Sequence, residues 1–168
     1  MKCLTKDEIT HWLRKHGQIE EPHLQKPKMP SLFHAQFYPP KKFKGIENFT
    51  RNFLDEIVAE GDLLVQFAYW ELFDGSTEFT LDSWWKSAAE TRQLEEVPGC
   101  VMSFKDRDQA IALFSITTCF RWQTYIYSSH HQTILFNWEG DVYDAWTTSA
   151  RKMKGIQKLI KLFKLKLA

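Results

Sequence analysis

The chain lacks the common catalytic and cofactor-binding motifs. Its 168 residues contain no G-x-S-x-G nucleophile elbow, no P-loop, no G-x-G-x-x-G turn and no H-E-x-x-H zinc motif. These absences remove the frequent hydrolase, nucleotide-binding and metalloprotease signatures, and we expect no cofactor. An enzyme whose catalytic residues are dispersed along the chain stays open, but a non-enzymatic role is favoured.

Cysteine is also scarce. Cys3, Cys100 and Cys119 are odd in number, widely separated and without a C-x-x-C pair, so a disulfide framework is not expected. The sequence becomes charged directly after Met1, and no stretch approaches the roughly 20 apolar residues of a membrane span. We therefore expect a cytoplasmic protein without a signal peptide.

The histidines are not spaced as chelating pairs. His11 and His16 are five residues apart on an expected helix, which turns their side chains away from each other. The neighbours His130 and His131 diverge on a strand or a tight turn in the same way. No metal site is expected.

The length and composition are those of one folded domain spanning residues 1–168. A hydrophobic fraction of 43% and a charged fraction of 26% are typical of a globular protein rather than of a disordered chain. The aromatic fraction of 15% predicts a core that is rich in rings.

Local signals predict several helices. Thr5 followed by Glu8 is a capping box, and the apolar positions after it indicate a helix over residues 5–16. Residues 18–45 hold five of the six prolines and predict an extended connector that wraps on the domain. Further helices are expected at 46–60 and 80–91, within a mixed helical and strand region that covers 46–98.

The second half predicts mostly strands. Residues 99–148 are dense in β-branched and aromatic residues, and they indicate an antiparallel meander. The expected strands are 101–104, 113–122, 124–127 and 133–138, with a short helix capped by Asp106 between the first two. The apolar run 63–70 fits either a strand or a buried helix. The fold class expected is α+β, with an antiparallel sheet of about four to five strands, N-terminal helices on one face and a basic C-terminal helix.

Charge is sorted along the chain. Residues 1–46 carry nine basic and four acidic side chains, whereas residues 47–149 carry six basic and seventeen acidic ones. Residues 150–168 carry seven basic and no acidic side chains, so the formal net charge of +1 conceals strong local fields.

The acidic middle contains many indole and phenol rings, and this mixture suits docking against a basic protein. Carboxylates accelerate such an encounter, and Trp side chains supply buried anchors. We therefore expect a non-enzymatic interaction module that is similar in role to inhibitors or immunity proteins. The expected docking residues are Trp70, Glu71, Asp74, Trp84, Trp138, Glu139, Asp141, Asp144 and Trp146.

The basic ends suggest a first alternative. The amphipathic segment 149–168 resembles helices that lie on anionic membranes, although such a helix also packs inward in many domains. The connector mixes lysines with rings, as single-stranded nucleic acid binding proteins do. The residues for anion or membrane contact are Lys41, Lys42, Lys44, Lys154, Lys158, Lys161 and Lys164.

A dispersed enzyme is the second alternative. Its expected catalytic residues would be Cys119, His130 and His131, although the sequence alone does not show whether they lie close together in the fold. Buried cysteine acting as a small hydrophobic residue is the more common situation, so no catalytic residue is assigned. The sequence leaves the oligomeric state open.

Overall fold

The structure is a computed structural model that describes residues 1–24, 32–69, 79–80, 83–86 and 89–168. Three expected docking residues, Trp70, Glu71 and Asp74, lie outside the described residues. Within the described part, no helix has the length and apolar content needed to cross a membrane.

A single antiparallel sheet forms the centre of the fold. Its strands are β1 (Lys2–Leu4), β2 (Phe33–Phe37), β3 (Leu63–Tyr69), β4 (Gly99–Met102), β5 (Gln123–Ser128), β6 (Ile134–Trp138) and β7 (Val142–Thr147). They lie in the order β1-β4-β3-β5-β6-β7-β2. The α+β class with an antiparallel sheet is confirmed. The expected four to five strands are wrong, because the sheet has seven.

Several helices pack around the sheet. They are α1 (Lys6–Lys15), α2 (Phe43–Asn52), a π-helix (Phe53–Val58), a 3₁₀ turn (Phe104–Asp106), α3 (Arg107–Cys119) and α4 (Ala150–Leu162). The capping box of α1 is confirmed, since the Glu8 N–H donates to Thr5 Oγ1 and the Thr5 N–H donates to Glu8 Oε2 at 2.9 Å. Residues 79–80 and 83–86 are also helical. The helix expected to reach residue 91 ends earlier, because Ala89 has a left-handed φ of 56°.

The expected strand 113–122 is wrong, because α3 occupies most of this stretch. Its β-branched and aromatic residues are typical of strands, yet α3 is buried on most sides, so no polar stripe reveals a helical period. The hydroxyls of Ser115 and Thr118 donate to the carbonyls of Ile111 and Phe114, which satisfies them inside the helix. Asp106 stands before α3, but its carboxylate accepts from Ser103 Oγ and does not cap the helix.

The two faces of the sheet are covered by different helices. Residues such as Leu63, Val65 and Leu135 face a core that also contains apolar residues of α2, α3 and α4. Their neighbours on the strands face the opposite side, where Leu64 and Ile134 pack with α1. The expectation that the N-terminal helices share one face is therefore corrected, because strand side chains alternate and α1 covers the face opposite α2.

Candidate functional site

Helix α4 packs its apolar stripe inward and presents its lysines outward. Ser149 caps the helix by accepting the Lys152 N–H, and the side chains at the helix's apolar positions are buried. These buried residues are Met153, Ile156, Leu159 and Ile160. Lys154, Lys158 and Lys161 recur at the spacing of one helical face and are all exposed. The helix is thus a structural element whose outer face is cationic.

The chain after α4 returns to the sheet beside β2. The carbonyl of Lys166 accepts the Tyr38 N–H at 2.9 Å, and the Ala168 N–H donates to the carbonyl of Gln36 at 3.1 Å. An antiparallel bridge joins Phe37 and Leu167. The strand-like alternation near the C-terminus therefore corresponds to a short pairing with β2, which places residues 166–168 beside residues 36–38.

Three further lysines lie just beyond Tyr38, where α2 begins. Lys41, Lys42 and Lys44 are all exposed, and Lys42 occupies the N-cap position without a side-chain hydrogen bond. The first turn of α2 contains no acidic residue. Positive side chains at a helix N-terminus oppose the helix dipole and cost about 0.3–1 kcal/mol each. The lysines thus concentrate positive charge at the start of α2, where positive charge lowers the stability of the helix.

The segment after α4 and the chain that leads into α2 therefore both lie next to the end of β2. Lys41 is three positions after Tyr38, a reach of about 11 Å at most, and Lys164 is two positions before Lys166. Exposed apolar side chains lie among the lysines, including Leu162 at 62% and Leu167 at 69% exposure. We call this surface the basic edge, and it comprises Lys41, Lys42, Lys44, Lys154, Lys158, Lys161, Lys164, Lys166, Tyr38, Phe43, Leu162 and Leu167.

Three carboxylates of α2, the π-helix and α3 pair with arginines. Glu47 pairs with Arg51 on α2, and Asp55 of the π-helix pairs with Arg107 at 2.5 Å. Arg51 also binds Asp108 at 2.6 Å. Among the described residues, no ion pair joins a basic-edge lysine to a carboxylate. Arginines thus pair with these three acids, whereas Glu56 and Glu60 are exposed and the charge of Glu60 acts on Lys152 of α4. The lysines of the basic edge are exposed.

Asp144, one of the expected docking carboxylates, is an interior residue. Its side chain is only 3% exposed and accepts hydrogen bonds from His34 Nε2 at 2.5 Å and from Trp138 Nε1 at 2.7 Å. Gln36 Nε2 is a third donor at 3.4 Å. Because His34 and Gln36 belong to β2, the carboxylate fastens this strand to β7 and β6. The acceptor capacity of Asp144 is thus used internally, and its docking role stays a prediction without support from exposure.

The neighbouring indoles are also committed to internal contacts. Trp146 is 6% exposed and stacks on the His34 ring at a centroid distance of 5.1 Å, so its expected docking role likewise stays a prediction without support from exposure. Trp138 is half-buried between its bond to Asp144 and an edge contact with Phe136. Trp84 is half-buried and lies 5.0 Å from the ring of Trp85.

Two expected docking carboxylates remain nearer the surface. Glu139 is half-buried and accepts from Gln123 Nε2 at 2.9 Å. Asp141 exposes 68% of its side chain but pairs with Arg121 at 2.9 Å. The acidic docking hypothesis therefore stays a prediction. Within the described residues, only Glu139, Asp141 and the half-buried indoles support it.

The residues of the expected dispersed enzyme are not brought together. Cys119 ends α3 shortly before β5, whereas His130 and His131 follow the far end of β5. A six-residue strand spans about 20 Å, which separates the thiol from both rings. Burial raises the pKa of the Cys119 thiol, which disfavours the reactive thiolate.

A polar network on the α1 face was not expected from the sequence. Tyr125 donates its hydroxyl to Nδ1 of His23, whose ring stacks on Phe136 at 4.8 Å. Burial lowers the pKa of His23, while the charges of Glu21 and Asp144 act in the opposite direction. No group of three or more metal-ligating side chains is found in the described ranges. His23 lies in a turn after α1, whereas Tyr125 and Phe136 are partners on β5 and β6, so no local sequence signal marks the association of His23 with them.

Comparisons with known proteins add no family. No protein-family model matches the chain, and neither the curated proteins nor the solved structures provide a match.

Proposed function

We propose that this protein is a non-enzymatic binding protein that docks on anionic membrane surfaces through the basic edge. The observation that carries the proposal is the convergence of two lysine groups, distant in sequence, around exposed apolar side chains. Lys166 bonded to Tyr38 is the structural link between the two groups. The protein would associate with the surface of a bilayer without crossing it.

The composition of the basic edge favours lipid over nucleic acid. Leu162 and Leu167 are aliphatic, so they suit insertion between lipid headgroups and offer no ring for stacking on bases. The charged members are all lysines, whereas bidentate recognition of phosphate and of guanine favours arginine. The exposed rings of Tyr38 and Phe43 also suit the membrane interface.

The expected energies are sufficient for reversible binding. A lysine near an anionic leaflet contributes about 1 kcal/mol, so eight lysines supply several kcal/mol even when some lie too far from the surface. Insertion of part of one leucine side chain adds about 1 kcal/mol. The electrostatic part weakens with salt, because the Debye length falls from about 8 Å at physiological ionic strength to about 3 Å at 1 M.

Vesicle co-sedimentation of the full chain tests the proposal. Vesicles that contain phosphatidylserine should retain the protein at physiological salt and release it at high salt, whereas phosphatidylcholine vesicles should not retain it. Binding to single-stranded oligonucleotides with no binding to either vesicle type would overturn the proposal in favour of nucleic acid.

A matched pair of variants controls for net charge. K158E/K161E reverses two charges of the basic edge, and it should weaken vesicle binding by about 30-fold for a loss of about 2 kcal/mol. K6E/K105E makes the same change beside β1 and β4 at the far end of the sheet, and it should leave binding nearly unchanged. Equal losses in both variants would indicate a general charge effect and would contradict the proposed surface.

A basic protein partner is the second proposal, supported by the exposed Asp141 and the half-buried Glu139 beside Trp138. A pull-down from a lysate at low salt should recover a basic protein with the unmodified chain and lose it with E139K/D141K. Retention of the same partner by this variant, or recovery of none by the unmodified chain, would remove the proposal.

A further inference from the structure

The first strand places two cysteines side by side. β1 pairs with β4 in antiparallel register, with Cys3 directly opposite Cys100. The two sulfur atoms are 3.4 Å apart, and both residues are buried. Ninety-seven positions separate them in sequence, so only the pairing of the strands brings the thiols into contact.

The backbone geometry at this pair suits a disulfide bond. Directly opposite residues of an antiparallel pair have Cα atoms about 4.5–5.5 Å apart, which lies within the range that disulfides span. The bonded S–S distance is about 2.0 Å, so the two sulfurs need to approach by only about 1.4 Å. Small rotations of the two side chains achieve this without any change of strand register.

We infer that Cys3 and Cys100 are a redox modification site, which forms a reversible cross-strand disulfide by exchange with a low-molecular-weight disulfide such as oxidised glutathione. The thiolate of Cys3 attacks one glutathione sulfur, forms a mixed disulfide and expels a glutathione thiolate, which takes up a proton. Cys100 then loses its proton, attacks the Cys3 sulfur and expels the second glutathione. Two cysteine sulfurs are oxidised and two glutathione sulfurs are reduced.

The position of Cys3 in a short edge strand favours it as the attacking thiol. The hydrogen bond with Cys100 lowers the pKa of Cys3, and Arg92 acts in the same direction, against burial and the charge of Glu90. The contact with Cys3 and burial raise the pKa of Cys100. Cys3 also belongs to a three-residue edge strand that pairs only with β4, so local opening of β1 exposes the thiol to a small disulfide.

Mass spectrometry of the unmodified chain tests the inference directly. After incubation with oxidised glutathione, denaturation and alkylation, the Cys3–Cys100 pair should have lost two hydrogen atoms and should carry no alkyl group. A peptide digest should contain the linked Cys3 and Cys100 peptides. Alkylation of both cysteines after this treatment, or glutathione retained on Cys3 in the unmodified chain, would overturn the inference.

Two variants separate the pair from the third cysteine. C119S should form the same disulfide, because Cys119 lies at the end of α3 and has no part in the exchange. C100S should stop at the mixed disulfide, since the resolving thiol is absent. The oxidised chain should also melt about 5–15 °C higher than the reduced chain, and this gain should vanish on reduction. A melting temperature that oxidation lowers would contradict the unstrained geometry on which the inference depends.

Discussion

The carbonyl oxygen of Lys166 accepts a hydrogen bond from the backbone N–H of Tyr38 at 2.9 Å. With the Ala168–Gln36 hydrogen bond and the Phe37–Leu167 bridge, this contact joins the chain beyond α4 to the end of β2, which leads to Lys41. Two lysine-bearing segments that are distant in sequence are thereby held beside β2. The functional proposal depends on this association.

Exposed leucines should contribute to membrane binding without contributing to stability. In L162A/L167A, two side chains that are mostly exposed in the free protein are shortened, so the free energy of unfolding should change by less than about 0.5 kcal/mol. Binding to anionic vesicles should fall by about fivefold or more, because less apolar surface inserts between lipids. Unchanged vesicle binding would restrict the proposed interaction to electrostatics.

A buried residue of α4 should behave in the opposite way. Ile156 is fully buried in the core, so I156A should lower the free energy of unfolding by about 2–5 kcal/mol. Chemical denaturation measures this loss. At low denaturant concentrations, where the variant is still folded, vesicle binding should persist because no basic-edge lysine changes. A loss below about 0.5 kcal/mol would show that α4 does not pack on the core as described.

The buried carboxylate of Asp144 should be required for stability. D144A removes the buried acceptor for His34, Gln36 and Trp138, and it leaves the indole N–H of the half-buried Trp138 without its partner, at a cost of about 1–3 kcal/mol in the free energy of unfolding. Urea denaturation measures this cost, and D141A is the matched control because Asp141 is exposed. Equal stability of the two variants would contradict the assigned network.

Acid should destabilise the fold partly through His23. Burial lowers the pKa of this ring in the folded protein, so the unfolded chain binds the proton more readily than the folded one. The contribution of neutral His23 is complete above about pH 6.5 and is lost as the pH falls through the lowered pKa. Denaturation between pH 7 and 5 should show a steeper loss for the unmodified protein than for H23Q, and identical slopes would remove this assignment.

Short-range signals predicted the elements whose cause is local. Thr5 and Glu8 form the capping box because both partners lie within one turn. β2 was missed because it sits in a proline-rich connector and is stabilised by pairing with β7, 108 positions away at Gln36 and Asp144. The stretch 113–122 was assigned to a strand because burial on most sides of α3 hides its helical period.

The candidate site was predictable only in its parts. The lysines of the connector and of segment 149–168 are evident in the sequence, but their association requires the pairing of Phe37 with Leu167. Asp144 belongs to an acidic region and gives no local indication that strands β2 and β6 will surround it. Charge patterning thus identifies candidate residues, while exposure depends on contacts between distant strands.

The most direct test of the basic edge is a variant at the end of the connector that should weaken vesicle binding without lowering the free energy of unfolding. K41E/K44E places acidic residues at the N-terminus of α2, where they favour the helix dipole, so the free energy of unfolding should stay equal or rise by about 0.3–1 kcal/mol. Binding to phosphatidylserine vesicles should nevertheless fall by about 30-fold, which is the same loss that we expect for K158E/K161E. Full vesicle binding by K41E/K44E would show that the two lysine groups do not act as one surface.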